Sequence, residues 1–179
     1  MKTDSKIYII TGGPGTGKSS VLNELKNRGF KCHEEFARQV IKEHLDAGID
    51  IFPWNKMKEY SDIVLHRMKN QMNILETSDL HFLDRGACDL VGYMNFANQE
   101  IPDYYFNEIN QMNYSAVVFY LPTWDDIYTT DNERRETIED AKKIGEELHK
   151  AYVTFNFEII EVPHASIEER ADYILSHIL

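Results

Sequence analysis

One glycine-rich segment contains the residues best suited to chemistry. Residues 12–19 read Gly-Gly-Pro-Gly-Thr-Gly-Lys-Ser, which is the spacing of a phosphate-binding loop, G-x-x-x-x-G-K-[ST]. Glycines allow successive backbone N–H groups to turn toward phosphate oxygens, and a following helix adds the partial positive charge of its N-terminus. We expect ATP to bind through Gly13, Pro14, Gly15, Thr16, Gly17, Lys18, Ser19 and Ser20.

Two side chains of this loop have more specific predicted roles. Lys18 is expected to reach the β- and γ-phosphates and to act in catalysis, and the Ser19 hydroxyl is expected to bind Mg²⁺. The loop therefore predicts binding of a nucleoside triphosphate. It does not by itself identify a reaction.

Charged residues follow a predicted strand at residues 80–84. This strand ends in Asp84, and Arg85 and Asp89 come shortly afterwards. Ligands of open α/β sheets bind outside the carboxyl ends of the strands, so these residues are expected beside the phosphate loop. Asp84 is suited to hold Mg²⁺ and to act in catalysis, and Arg85 and Asp89 are suited to bind a phosphate acceptor. The alternative for Asp84 and Arg85 is a surface salt bridge near a turn.

A second carboxylate cluster lies just past a short predicted strand at residues 30–33. Glu34 and Glu35 are followed by Arg38, one helical turn away. Glu35 could accept the proton of an attacking hydroxyl, and Arg38 could bind the acceptor or its phosphate. The alternative is an ion pair on a solvated helix face.

A predicted lid at about residues 123–137 contains two adjacent arginines. Thr130 and Glu133 have the spacing of a capping box, which predicts a helix from here to about Val153. Arg134 and Arg135 would then lie in the first turn, where the positive helix end disfavours cations. An external phosphoryl group would resolve that conflict, so both arginines are predicted to be catalytic. The alternative is pairing with nearby carboxylates.

Two classes of P-loop protein are disfavoured by what the sequence lacks. A GTPase carries an N-K-x-D motif that recognises guanine, but the Asn-Lys pair at residues 55–56 has no aspartate two positions later. Oligomeric motor ATPases usually end the strand of their second motif in Asp-Glu, whereas Asp84 is followed by Arg85. Water-splitting motor chemistry is therefore disfavoured.

Hydrophobic runs alternate with helical patterns along the chain. Strands are predicted at residues 7–11, 30–33, 80–84, 116–121 and 157–162, and helices at residues 19–27, 36–47, 53–76 and 166–179. This alternation is typical of an α/β fold in which helices cover both faces of a five-stranded parallel sheet. Residues 1–179 show no repeat and no linker, so we expect one domain.

Composition limits the classes of partner. The 179 residues carry 19 Lys and Arg against 30 Asp and Glu, a formal net charge of −11. Proteins that coat nucleic acid or bind anionic membranes need a positive field, so nucleic acid is not an expected partner. The apolar run near the N-terminus is too short for a signal peptide or a membrane span. With only two cysteines, Cys32 and Cys88, the chain is expected to be cytoplasmic and reduced.

The order of the motifs resembles the AAA-type predicted-ATPase family of small P-loop proteins, which is related to the ribosylnicotinamide kinase domain and to nucleoside and nucleotide kinases. The resemblance runs from about residue 6 to the end, through GGPGTGKS, EEFAR, DRGACDLVGY, LPTWDDIYTTDNERR, EVP and SIEERADYIL. It implies a three-layer, nucleotide-kinase-like P-loop fold with strand order 2-3-1-4-5 and a helical lid. It also matches the family's functional positions to Glu35, Arg38, Asp84, Arg85, Arg134 and Arg135.

The resemblance also implies where two rings of a ligand would lie. The loop after the last strand would place residues 163–165 near the adenine, with His164 either stacking on it or simply exposed. Aromatic residues at 52–54 and at Tyr60 could form a stacking platform for the acceptor, or could belong to the core.

Together these features predict a phosphotransferase that uses ATP and Mg²⁺ to phosphorylate a small nucleoside-like or nucleotide-like acceptor. Two alternatives use the same phosphate loop: a nucleotide-dependent binding module or switch, and a plain NTP hydrolase without a small-molecule acceptor. The pairing of Glu35 with Arg38 on the acceptor side favours the transfer reaction. The sequence carries no signal for an oligomeric state.

Overall fold

The computed structural model describes residues 5–127 and 137–178. Within them the chain forms five strands, seven α-helices and a short 3₁₀ turn at Asp125–Ile127. The strands are β1 (Ile7–Thr11), β2 (Lys31–His33), β3 (His81–Asp84), β4 (Val117–Tyr120) and β5 (Glu158–Glu161). The helices are α1 (Lys18–Asn27), α2 (Phe36–Ala47), α3 (Met57–Ile74), α4 (Ala87–Phe96), α5 (Asp103–Gln111), α6 (Ile138–Thr154) and α7 (Ile167–Ser176).

The five strands form one parallel sheet in the order β2-β3-β1-β4-β5. This confirms the predicted order 2-3-1-4-5. In the central pairing, Ile10 of β1 lies opposite Asp84 of β3 and also opposite Phe119 of β4. The carboxyl ends of β1, β3 and β4 therefore meet at one edge of the sheet, which is where an open α/β sheet binds its ligands.

Side chains that alternate along the strands pack into two separate hydrophobic cores. Ile7, Ile9, Leu83 and Val118 pack on the face covered by α2–α6, whereas Phe82 and its neighbours in the sheet pack on the face covered by α1 and α7. A strand buried on both faces reads as a continuous apolar run, which is why the sequence reveals these strands clearly. The result is the predicted three-layer α/β architecture.

Two helix starts differ from the predictions by four residues or more. The long helix begins at Met57 and not at Pro53, which lies in the preceding turn. The helix predicted from Thr130 begins instead at Ile138, because Thr137 and Asp140 form a capping box at its N-terminus. Thr137 Oγ1 accepts a hydrogen bond from Asp140 N at 3.1 Å, and Asp140 Oδ2 accepts one from Thr137 N at 3.2 Å. The same spacing occurs seven residues earlier, so the sequence offered two equivalent starts.

The predicted lid lies largely outside the described residues. Its first residues enter the 3₁₀ turn, but Arg134 and Arg135 fall in the segment 128–136 and keep their roles only as predictions. By contrast, the predicted capping box of the last helix is confirmed, because Ser166 Oγ accepts from Glu169 N at 3.2 Å.

Candidate active site

The phosphate loop joins the end of β1 to the start of α1. Gly17, the residue before α1, has a φ of +81°, in the left-handed region that favours glycine. Gly12 also has a positive φ of +143°, and a Cβ there would lie 2.2 Å from the carbonyl oxygen of Leu121. Both positions therefore require glycine. The loop turns sharply enough to present its amides at the helix N-terminus, as an anion-binding loop must.

Lys18 is folded back onto its own loop. It is 7% exposed, and its Nζ donates to the carbonyl oxygens of Gly12 and Gly13 at 3.0 and 2.8 Å. Burial and the nearby Arg85 guanidinium lower the pKa of Lys18 to about 7, against the opposing attraction of Asp84. The amine is thus held close to the loop in a site that favours a negative partner.

Asp84 ends β3 beside the loop. Its Oδ1 atom is buried and has no hydrogen-bond partner among the residues that the structure describes. Burial and the neighbouring Glu35 carboxylate raise the pKa of Asp84 to about 6, although Lys18 and Arg85 oppose the shift. An unpaired buried carboxylate oxygen is costly unless a ligand satisfies it.

These donors fit Mg²⁺. Ser19 and Asp84 line the same cavity, and Mg²⁺ is usually held by one or two protein oxygens together with substrate phosphates and water. Residues 5–127 and 137–178 contain no group of three or more His, Cys, Asp or Glu side chains that could hold a metal ion.

Arg85 is buried in a network inside the protein. Its Nε donates to Glu35 Oε1 at 3.2 Å, and its Nη1 donates to Asp89 Oδ1 at 2.8 Å and to the Gly12 carbonyl at 3.2 Å. The guanidinium also lies over the ring of Tyr93, 5.2 Å from its centroid. Arg85 has a φ of +70°, an uncommon conformation for a residue with a side chain.

Asp89 accepts four hydrogen bonds and is 2% exposed. Besides Arg85, its donors are the Thr11 hydroxyl at 2.7 Å, the Gly86 amide at 2.9 Å and the Tyr152 hydroxyl at 2.5 Å. Acceptor binding by Asp89 stays a prediction. In the structure, Asp89 holds Arg85 between the phosphate loop and Glu35.

Glu35 and Arg38 lie at the start of α2. Arg38 Nε is 3.3 Å from Glu35 Oε2, while the other Glu35 oxygen accepts from Arg85. The ion pair that the sequence left as an alternative is therefore present. It does not enclose Arg38, whose side chain is 59% exposed, so this guanidinium has surface available for a ligand.

A cavity of about 280 Å³ joins these groups. Its lining includes Ser19 and Asp84 as well as Glu35 and Arg38. The remaining lining residues come from α1, from β2 with the residue that follows it, and from α2: Leu22, Asn23, Lys26, Cys32, His33, Glu34 and Gln39. The structure thus brings the predicted metal side and the predicted acceptor side to a single space.

The aromatic residues divide into two groups. Phe52 and Tyr60 are buried, and the Tyr60 hydroxyl donates to the Ala37 carbonyl at 2.7 Å, so both belong to the core at α2 and α3. Trp54 is half exposed and stacks on Phe52. A separate pair, Trp124 and His164, stacks with ring centroids 4.7 Å apart and an interplanar angle of 3°.

The model of an AAA-domain family matches residues 7–170 of the chain. The chain belongs to this family. No curated protein matches it in sequence.

Two kinds of solved kinase resemble this AAA-domain protein in structure. A deoxyadenosine kinase from M. mycoides, with dCMP and dCDP bound, has a TM-score of 0.67 and 16% identity, over 96% of this chain and 98% of the kinase. The same enzyme with bound dATP has a TM-score of 0.64 and 15% identity, over 96% and 98%. Thymidylate kinase from Candida albicans has a TM-score of 0.65 and 13% identity, over 97% and 91%. The chain therefore has a nucleotide-kinase-like fold.

Three residues near the site in this AAA-domain protein escape sequence reasoning. Thr11 and Tyr152 hold Asp89, and Arg170 donates to the Thr16 carbonyl. Each makes its contact with a residue 63 or more positions away, so no local pattern marks it.

In the described parts of the chain, no helix combines the length and apolar character needed to cross a membrane.

Proposed function

We propose that this protein is an ATP- and Mg²⁺-dependent phosphotransferase acting on a small nucleoside-like or nucleotide-like acceptor. The observation that carries the proposal is the cavity beside the phosphate loop, which Ser19, Asp84, Glu35 and Arg38 all line. A hydrolase needs only water at the γ-phosphate. A cavity of about 280 Å³ that is lined by the Glu35 carboxylate and the exposed Arg38 guanidinium has room for a larger acceptor.

The nucleotide side of the reaction depends on the phosphate loop. Lys18 leaves the loop carbonyls and binds the β- and γ-phosphates, while the loop amides and α1 bind the phosphate chain. Ser19 and Asp84 would hold Mg²⁺, which neutralises charge on the phosphates when it is bound. The base is expected near residues 163–165, where the exposed His164 stacks on Trp124.

The acceptor side depends on Glu35. An acceptor hydroxyl in the cavity attacks the γ-phosphorus and gives its proton to Glu35, and the bond to the β-phosphate oxygen breaks, so that ADP leaves. Arg85 orients Glu35 through the contact to Oε1, and Arg38 binds the acceptor. Arg134 and Arg135 are proposed to stabilise the transferring phosphoryl group.

The test is ADP formation with a panel of nucleosides and nucleotides. We expect one class of acceptor to stimulate ADP formation and to appear as a phosphorylated product by mass spectrometry. Lys18→Ala should abolish the reaction, and Glu35→Gln should lower kcat about 100-fold or more because general-base catalysis is lost. Glu43→Gln is the matched control, since Glu43 is an α2 carboxylate paired with Arg67 outside the cavity.

The alternatives make different predictions in the same assay. A switch would bind ATP tightly, turn it over very slowly and show no stimulation by any acceptor. A plain hydrolase would form ADP and phosphate at a rate that no acceptor changes. Either result would refute the phosphotransferase proposal.

A further inference from the structure

Arg170 of α7 lies against the outside of the phosphate loop. It is 2% exposed, and its Nη2 donates to the carbonyl oxygen of Thr16 at 2.7 Å. Its Nη1 lies so close to Gly17 that a Cβ on that glycine would be 2.8 Å away. The guanidinium is thus packed on the peptide that leads into α1, although 154 residues separate Arg170 from Thr16.

Among residues 5–127 and 137–178, no carboxylate forms an ion pair with Arg170. Burial lowers the pKa of Arg170, and its Nε has no hydrogen-bond partner within the described residues. Arg85, which is also buried, instead contacts Glu35 and Asp89. A guanidinium remains charged in proteins, so an unpaired one buried beside a loop disfavours the folded state unless an anion approaches.

The contact with Thr16 also orients the next amide. In a trans peptide the C=O and N–H groups point in opposite directions. A Thr16 carbonyl held toward α7 therefore turns the Gly17 N–H toward the inner side of the loop, where phosphate oxygens would bind. A charged donor on the carbonyl also polarises the peptide, which makes its N–H a stronger donor.

We propose that Arg170 is a positioning residue for the nucleotide polyphosphate: it sets the Thr16–Gly17 peptide for phosphate binding, and the bound phosphates compensate its charge. This inference rests only on the nucleotide-binding part of the proposed function and not on phosphoryl transfer. Its consequence is that Arg170 contributes more to the affinity for ATP and ADP than to the stability of the free protein.

The experiment compares Arg170→Gln and Arg170→Lys with the wild type. Dissociation constants for ATP, ADP, adenosine and inorganic tripolyphosphate are measured by titration calorimetry. The melting temperatures of the ligand-free proteins are measured in parallel by thermal unfolding. We expect Arg170→Gln to lower the affinity for ATP, ADP and tripolyphosphate about tenfold, because a hydrogen bond from a charged group is lost. The affinity for adenosine should not change. Arg170→Lys should recover part of the loss, and the melting temperature of the free Gln variant should be equal to or above that of the wild type.

Arg28→Gln is the matched control, because Arg28 also links α1 to α7. It pairs with Glu24 and with Asp172 at the far end of α1, away from the loop. This variant should keep the affinity for ATP. If Arg28→Gln weakens ATP as much as Arg170→Gln does, the effect comes from helix packing and the proposal is wrong.

Two other outcomes also overturn the inference. Unchanged ATP affinity in Arg170→Gln, or an equal loss for adenosine and ATP, refutes it while leaving the proposed function intact. A wild-type protein that binds neither ATP nor tripolyphosphate refutes both together. If the wild type binds ATP but transfers phosphate to no acceptor, only the phosphotransferase proposal is refuted. The affinities of the Arg170 variants then still decide whether Arg170 positions the phosphate loop.

Discussion

The Tyr152 hydroxyl donates to Asp89 Oδ2 at 2.5 Å and so joins α6 to α4 beneath the phosphate loop. The other Asp89 oxygen accepts from Thr11 and Arg85, and Arg85 continues to Glu35. A chain of buried contacts therefore runs from α6, which follows the predicted lid, to the start of α2. It crosses the sheet edge where the reaction is proposed to occur.

Removing Asp89 should destabilise the protein severely. Asp89→Ala leaves the buried Arg85 with one fewer carboxylate and the Tyr152 hydroxyl without an acceptor, so we expect a loss of about 3–5 kcal/mol in the free energy of unfolding. Tyr152→Phe removes only a donor and should cost about 1–2 kcal/mol. Urea denaturation of both variants measures the difference.

The control for these substitutions is Glu147→Ala. Glu147 pairs with Lys150 on α6, where Lys150 is largely exposed, and such pairs contribute little. A loss for Asp89→Ala as small as the loss for Glu147→Ala would show that the network does not hold Arg85.

Asp84 should make nucleotide binding depend on Mg²⁺. In the wild type we expect Mg²⁺ to strengthen ATP binding, because Asp84 and Ser19 line one cavity and are proposed to share the metal with the phosphates. Asp84→Asn should lose most of that gain yet still bind ATP in EDTA, since the loop amides remain. Calorimetric titrations with and without Mg²⁺ measure the change. Asp79→Asn, which alters a carboxylate paired with Lys31, should behave like the wild type.

Cys32 should react slowly with alkylating reagents. Burial raises the pKa of its thiol to about 11, so folding favours the protonated form and the reactive thiolate is scarce at neutral pH. Between about pH 7 and pH 9.5 the alkylation rate should rise steadily without a plateau, because the whole range lies below the pKa. Mass spectrometry after iodoacetamide treatment gives the rates.

Cys88 serves as an internal reference for this experiment, since it is fully buried and should stay unlabelled in the folded protein. Cys32→Ser should remove the slow labelling. A rate that is half-maximal near pH 8.5, the ordinary pKa of a free thiol, and levels off above it would contradict the raised pKa.

Trp124 should report the nucleobase. Its stacking on His164 places an indole ring beside the loop after β5, where the base is expected. In a Trp54→Phe background, ATP should quench the remaining emission, because a base that stacks on the indole adds a quencher, whereas tripolyphosphate should leave it unchanged. Fluorescence titration measures both. Equal quenching by tripolyphosphate would locate the signal at the phosphates and not at the base.

Much of the fold follows from short-range patterns. The apolar strands are continuous runs because both faces of the sheet are covered, and α7 begins at Ser166 because its capping box is local. The start of α6 could not be predicted from the sequence, because capping-box spacing occurs twice, from Thr130 and from Thr137. The apolar pattern also predicts no helix at α5, whose nine residues bury chiefly Tyr105 and Ile109.

The candidate site divides in the same way. A phosphate loop is recognisable because it works through backbone amides of contiguous residues, and its glycines are required by φ angles and close contacts within the loop and its neighbours. The sequence by itself therefore determined that this chain carries a nucleotide-binding loop on a parallel sheet. Only the tertiary structure decided that Arg85 contacts Asp89 and Glu35, and that Asp89 also accepts a hydrogen bond from Tyr152. The same is true of the contact between Arg170 and the phosphate loop. The reason is physical: a buried charge takes its partners from whatever the fold brings within hydrogen-bond distance, and here most of those partners are 50 or more positions away in the sequence.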